Sequence, residues 1–210
     1  MGKQADRWKG AVAGLLGSVV GLLFMRFYWQ QVAPTLRQQV TPPEQKGEQG
    51  SQEQSGNDQA SEWQRALSTT KLYPDDLEMD SISLVGRQHG KKESSTAALG
   101  RILYESASGR MLEHKETHEL LSYLVHWGYG LGQGSLYGAT RAGAAFPDLT
   151  GALSHATLAW LLGDELLVPA LGLQSGPTAA PPLQHLNRLG AHLAFGVGTA
   201  ATTQLLQRVL

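Results

Sequence analysis

The sequence predicts an all-α membrane protein, a bundle of four transmembrane helices with a long polar, partly disordered insert between the first helix and the second. Three observations carry this expectation. Charge is partitioned: most Lys, Arg, Asp and Glu fall between residues 30 and 119, and the flanking stretches are nearly free of them. A slightly negative mean hydropathy therefore averages two unlike populations. Four low-charge stretches have the length of a membrane span. Glycine also recurs at helix-packing intervals inside two of them.

The first span covers residues 10–25 and holds no charged residue. At 1.5 Å per residue it reaches about 24 Å. Lys9 and Arg26 can snorkel at its ends toward the ~30 Å hydrocarbon thickness. Trp8 on one side, with Tyr28 and Trp29 on the other, match interfacial aromatic belts. Lys3, Arg7 and Lys9 would also suit a signal peptide. The residues that follow are Arg26, Phe27, Tyr28 and Trp29, not a small-x-small cleavage site, so the segment reads as a retained anchor.

The second span covers residues 120–140, the third 149–173 with Asp164 and Glu165 inside it, and the fourth 189–206. All three are heavy in Gly, Ala, Ser and Thr, the composition of helices packed closely on other helices. Gly10, Gly14, Gly17 and Gly21 fall on one side of the first helix, and Gly130, Gly134 and Gly138 make consecutive GxxxG steps in the second. Inside a water-exposed helix each glycine would cost about 1 kcal/mol against alanine. In lipid it lets two backbones approach. Phe146-Pro147-Asp148 makes a tight connection with Asp148 as N-cap of the third helix. Gly176-Pro177 and Pro181-Pro182 stiffen the loop before the fourth.

The organisation expected is an anchor at residues 1–29, a polar linker at 30–92, an amphipathic interfacial helix region at 93–118 and a three-helix membrane region at 119–210. Residues 41–64 are rich in Gln, Glu, Ser and Gly with little to bury, the signature of disorder. Residues 74–92 read as loose. In residues 94–108, Ala97, Ala98, Leu99, Ile102 and Leu103 recur at helical spacing, Ser94 or Ser95 can cap the start, and Gly109 can end it. Such a helix lies at the membrane face or on the bundle, with Arg101 and Arg110 solvated or facing lipid phosphate.

Lys3, Arg7 and Lys9 before the first span, Arg141 between the second and third, and Arg208 at the end put both termini in the cytoplasm and the long loop in the periplasm. Arg26 and Arg188 fall on the opposite side.

Polar residues at membrane depth are the candidate site. His126, Asp164 and His192 each lie about 12–13 Å from the periplasmic surface in this topology. Ser122, His126, Tyr129, Gln133 and Tyr137 share one face of the second helix, and His185, Arg188, His192, Thr199 and Thr203 one face of the fourth. Facing lipid would leave their hydrogen bonds unmet, so they should face the interior. A carboxylate at that depth needs a base, and His126 or His192 is the expected partner of Asp164 or Glu165. His155 reads as a packing histidine.

His126-Trp127-Gly128-Tyr129-Gly130 followed by Gly134-Ser135-Leu136-Tyr137-Gly138 resembles the second helix of the YagU-like family of bacterial inner-membrane proteins. Leu162-Gly163-Asp164-Glu165 with Pro169-Ala170-Leu171-Gly172-Leu173, and His185 with Ala191-His192-Leu193, resemble later segments, and the glycine-rich first span resembles that family's N-terminal helix. The resemblance covers about half the chain and leaves the linker at residues 41–92 unmatched. It implies four-helix inner-membrane topology and a link to acid tolerance, and no reaction.

Net charge is −1 and cysteine is absent. The first gives no footprint for nucleic acid and the second excludes disulfides and thiolate metal sites. No Walker loop, GxSxG elbow or strand–turn–helix dinucleotide motif occurs, so the expectation is a non-enzymatic protein with no cofactor and the lipid bilayer as its partner. His126, Asp164, Glu165 and His192 would form a proton-responsive network, or only interhelical glue. Two alternatives stand beside this: a structural or partner-binding membrane protein using the periplasmic insert, and a transporter or metal- or haem-binding protein. Transport by so small a bundle would call for a homo-oligomer.

Overall fold

The computed structural model describes residues 2–40, 82–90 and 93–209. The linker expected to be disordered at residues 41–64 lies outside them. The described residues are all helix and connecting turns, without a strand. Helix α1 (Gly2–Phe27) continues through a π-helical turn (Tyr28–Val32) into α2 (Ala33–Val40). Then come α3 (Ser95–Ser108), α4 (Lys115–Thr140), and α5 (Leu149–Leu158), which runs through a π-helical stretch (Ala159–Leu167) into the single turn α6 (Val168–Ala170). Helix α7 (Pro182–Leu206) ends the fold.

Each π-helical piece lies just upstream of a proline, Pro34 or Pro169. A proline inside a helix lacks the N–H and clashes with the carbonyl four residues back. Widening the preceding turn relieves both problems. Ala33 N–H accordingly reaches Tyr28 O, and Val168 N–H reaches Gly163 O. The first helix therefore passes the boundary expected at Trp29, aided by the helix formers Gln30, Gln31 and Leu36. Trp29 is buried against Ala33 and Ala191.

Helix α1 is central, packed along α4 on one side and α7 on the other. Its glycine stripe is shared between them. A Cβ on Gly10 or Gly14 would strike the carbonyl oxygens of Gly138 or Gly134 of α4. One on Gly17 or Gly21 would strike Thr203 or Thr199 of α7. Gly130 instead makes room for the Leu22 side chain. Helix α5 lies on α7 where Gly196 meets Ala152 and Ala156. Helix α3 lies on α4 through Gly100 and Leu121, capped by Ser94 accepting from Ala97 N–H and closed by left-handed Gly109.

The interior is mainly small and polar: Ala13, Ser18, Ala152, Ala156, Asn187, Ala191, Thr199, Thr203 and Gln204 are buried, with Leu22, Trp29, Tyr137, Leu173 and Phe195 among them. The outside carries Leu16, Leu23, Phe24, Leu124, Leu136, Leu158, Leu162, Leu167 and Leu205. Among the described residues one helix, Arg7–Leu36, is long and apolar enough to cross a membrane by length and composition. Helices α4 and α7 have the length, but Gly, Ser, Thr and His dilute them.

Two ends are distinguished. At the basic end, Gly10 of α1 meets Gly138 of α4, Gln207 Nε2 donates to Gly138 O at 3.4 Å, and Arg208 stacks over Phe146. At the opposite end a strap, residues 82–90, crosses the turn after α6.

Candidate functional site

The widened turns of residues 159–167 arrange the acidic pair. Consecutive residues on an α-helix diverge by about 100°. Asp164 and Glu165 nevertheless both reach α7. Glu165 Oε1 lies 2.8 Å from His185 Nδ1, and Asp164 Oδ2 lies 3.7 Å from His192 Nε2. His185 and His192 are seven residues apart, two turns along one face. The two segments run antiparallel, so the earlier acid meets the later histidine.

Burial differs between the pairs. Glu165 is only 5% exposed, and Asp164 is the more open carboxylate, with 31% of its side chain accessible. The other His185 nitrogen faces Ala180 O at 3.3 Å. His192 Nδ1 lies 2.9 Å from Arg188 O. That contact makes Nδ1 the protonated nitrogen and leaves Nε2 to accept from, or donate to, Asp164. Gln174 Nε2 donates to Asp164 O at 2.7 Å and holds the acidic turn from the loop side.

The partners differ in part from the expectation. Glu165 pairs with His185, placed by the sequence on a supporting face, and not with His126 or His192. His126, on α4, lies within electrostatic reach of His192. Tyr129, also on α4, lies within electrostatic reach of Asp164, and its hydroxyl is 3.5 Å from Ala159 O. Gln133 hydrogen-bonds Tyr129. Arg188 contributes its backbone carbonyl to His192. Among the described residues, no group of three His, Asp or Glu side chains is arranged to hold a metal ion.

A second polar cluster, not foreseen as a unit, closes the basic end. Tyr137 hydroxyl donates to Asp148 Oδ2 at 2.9 Å, and Arg141 grips both Asp148 oxygens at 2.6 Å. Asp148 also caps α5 by accepting from Gly151 N–H, and its own N–H donates to Gln204 Oε1 of α7. The Arg141 guanidinium, helped by Tyr137 and the Gly151 N–H, overcomes burial and holds the Asp148 carboxyl below the usual carboxylate range. The cap is legible in the sequence; the i, i+4 spacing of Tyr137 and Arg141 at the end of α4 is the available signal for the rest.

At the other end the strap is tied down, and here two expectations are corrected. Residues 82–90 are not loose: Leu84 N–H donates to Ala170 O at 2.9 Å and Gln88 N–H to Gly172 O at 2.8 Å. Gly172 is left-handed at φ 68°, and a Cβ there would strike Gly86 O, so the docking needs glycine. Arg101 is not turned to solvent or lipid. It bonds Glu93 at 2.9 Å, Glu105 at 3.3 Å and Gln88 O at 2.6 Å. His118 of α4 lies 3.0 Å from Glu93. Burial pushes the Glu93 carboxyl up, but Arg101, the Gly90 N–H and His118 outweigh it and hold it below its ordinary value. Arg101→Leu is expected to release the strap. The loss of about 1.5 kcal/mol should appear as about tenfold weaker hydrogen-exchange protection at Leu84 and Gln88. Arg110→Leu should leave both amides unchanged.

No family model, curated protein or solved structure matches this chain.

Proposed function

We propose that the chain is a multi-pass protein of a bacterial inner membrane, with both termini cytoplasmic, whose His–carboxylate pairs respond to protons from the periplasmic side. In this reading α1, α4, the α5–α6 segment and α7 all span the bilayer, and the protein performs no chemistry on a substrate. The outward leucines and the inward Ala, Gly and polar groups support the membrane placement. Large exposed apolar surfaces mark contact with a membrane or a partner. Lys9, Arg141 and Arg208 gathered at one end support the orientation.

One observation carries the functional reading: adjacent carboxylates on a widened helical turn each meet a histidine of α7. A protonated histidine beside a carboxylate is an ion pair, and a neutral one is only a hydrogen-bond partner. Loading a proton therefore changes how firmly the third segment holds α7.

The absence of native cysteine makes the test direct. Spin labels on cysteines placed at Leu162 and Leu186, both on the outer surface, report the separation of the two segments in lipid nanodiscs. Between about pH 8 and pH 5 the distance is expected to shift by about 1–2 Å. Glu165→Gln with Asp164→Asn should abolish the shift while leaving insertion intact. An identical response in wild type and variant would reduce the pairs to interhelical glue and move attention to the insert as a partner-binding element.

A further inference from the structure

We propose that the basic end of the bundle holds the headgroup of an anionic phospholipid, gripped where the start of α1, the turn between α4 and α5 and the end of α7 come together. The inference rests on the membrane placement above and adds to it a particular partner at a particular place.

Three distant stretches of chain meet at this end. A Cβ on Gly10 would lie 3.0 Å from Ala142 Cβ, which sets the first turns of α1 beside the turn that follows α4. Arg7 precedes Gly10 by three residues and Gly14 by seven, so it stands on the face of α1 turned to α4. The α4–α5 turn is tied to α7 as well. Gln204 Nε2 donates to Ala145 O at 3.2 Å, and Asp148 N–H donates to Gln204 Oε1 at 3.1 Å. Gln207 Nε2 donates to Gly138 O at 3.4 Å. The backbones that carry Arg141 and Arg208 are therefore held together before any ligand arrives.

The charge presented outward is positive. Arg141 uses Nε and Nη2 on Asp148, at 2.6 Å each, and Nη1 takes no part in that grip. The Arg141 side chain is 43% exposed and that of Asp148 only 5%, so the pair shows its cation to the outside. Arg208 holds its guanidinium 4.7 Å over the Phe146 ring. Stacking of this kind covers a face of the guanidinium and leaves the N–H donors on its edge for phosphate oxygens. Arg7 is exposed. Among the described side chains at this end Asp148 is the one carboxylate, and it is turned inward to Tyr137, Gly151 and Arg141. Arginines with planar forks of donors are the residues that suit phosphate.

Apolar neighbours decide between a lipid and a free phosphate. Trp8 follows Arg7, Val209 follows Arg208, Phe146 lies under Arg208 and Leu149 opens α5 after Asp148; all four are exposed. A soluble anion gains nothing from such surroundings. A phospholipid lays its glycerol and upper acyl chains on them while its phosphate sits among the arginines. Basic sites between helices at the cytoplasmic surface suit that amphipathic ligand, because anionic lipid supplies the opposite charge there.

The test is native mass spectrometry of the full chain in mild detergent, titrated with phosphatidylglycerol or with phosphatidylcholine of the same acyl chains. The ratio of one-lipid complex to lipid-free protein reads the affinity. Wild-type protein is expected to prefer phosphatidylglycerol by about twenty-fivefold, two cations at about fivefold each. Arg208→Gln and, independently, Arg7→Gln should each weaken phosphatidylglycerol binding about fivefold and leave phosphatidylcholine binding unchanged. Arg110→Gln, exposed beyond α3 at the opposite end, should alter neither. Equal binding of the two lipids by wild type, or an undiminished preference in both variants, would overturn the proposal. Full displacement of phosphatidylglycerol by an equal concentration of inorganic phosphate would overturn it too, since the site would then read the anion alone. Flotation with vesicles and resistance to carbonate extraction test the placement separately. Inserted protein without lipid preference removes this proposal only, and a chain that never enters the bilayer removes both.

Discussion

Gly14→Leu is expected to separate α1 from α4 and cost about 3 kcal/mol or more. A Cβ at Gly14 would run into the Gly134 carbonyl and the Gly138 Cα, so no rotamer of a larger side chain has anywhere to go. What blocks it is backbone, which cannot swing aside as the end of a side chain can. The Gly10–Gly138 contact one turn away would be pried open with it. Unfolding in mixed micelles of mild and denaturing detergent measures the loss. Gly128→Leu is the matched control: Gly128 is exposed on the outer side of α4, and a Cβ added there would have nothing within 4 Å. It should change stability by no more than about 0.5 kcal/mol. Equal effects of the two substitutions would mean that α1 and α4 do not meet through their glycines.

Asp148→Ala should be the second large loss, about 3 kcal/mol. It removes the N-cap of α5, worth about 1 kcal/mol, and leaves the buried Tyr137 hydroxyl without its acceptor. It also frees Arg141, whose two nitrogens both lie 2.6 Å from the carboxylate. The pH dependence has a definite sign. Because the folded Asp148 carboxyl is held below its ordinary value, its contribution is complete above about pH 4 and disappears as pH falls through the lower folded value. Thermal unfolding followed at decreasing pH should therefore show wild type approaching the Asp148→Ala variant only in strong acid. Convergence near about pH 6 would be wrong for this carboxylate.

Local chemistry was the legible part. Ser94 and Asp148 cap helices because a short side-chain oxygen before an apolar run can accept a first-turn N–H, and Gly109 ends α3 because it can turn left-handed. The glycine faces follow from helical spacing alone. Which neighbour fills each face did not follow, since Gly10 and Gly17 lie on one stripe yet meet different helices. The strap was illegible for a similar reason. Its hold depends on Arg101 and Gly172, both distant in sequence, and on backbone bonds that carry no composition signal. The Glu165–His185 pair escaped because matching partners by membrane depth supposes a uniform helical rise, and the turns at residues 159–167 are π-helical.

Those π-helical turns have a mechanical consequence. A helix wound too wide carries slack of about one residue, and slack of this kind can move along the chain at little cost when neighbouring turns are equally able to accommodate it. If the surplus slid toward α5, Asp164 and Glu165 would turn together relative to α7, breaking both histidine contacts in one motion. The two ends of the segment would stay anchored, by the Arg141–Asp148 grip below and the strap above. A small rotation confined to the middle of one helix could thus open and close the polar interior without any rearrangement of the bundle's outer, leucine-covered wall.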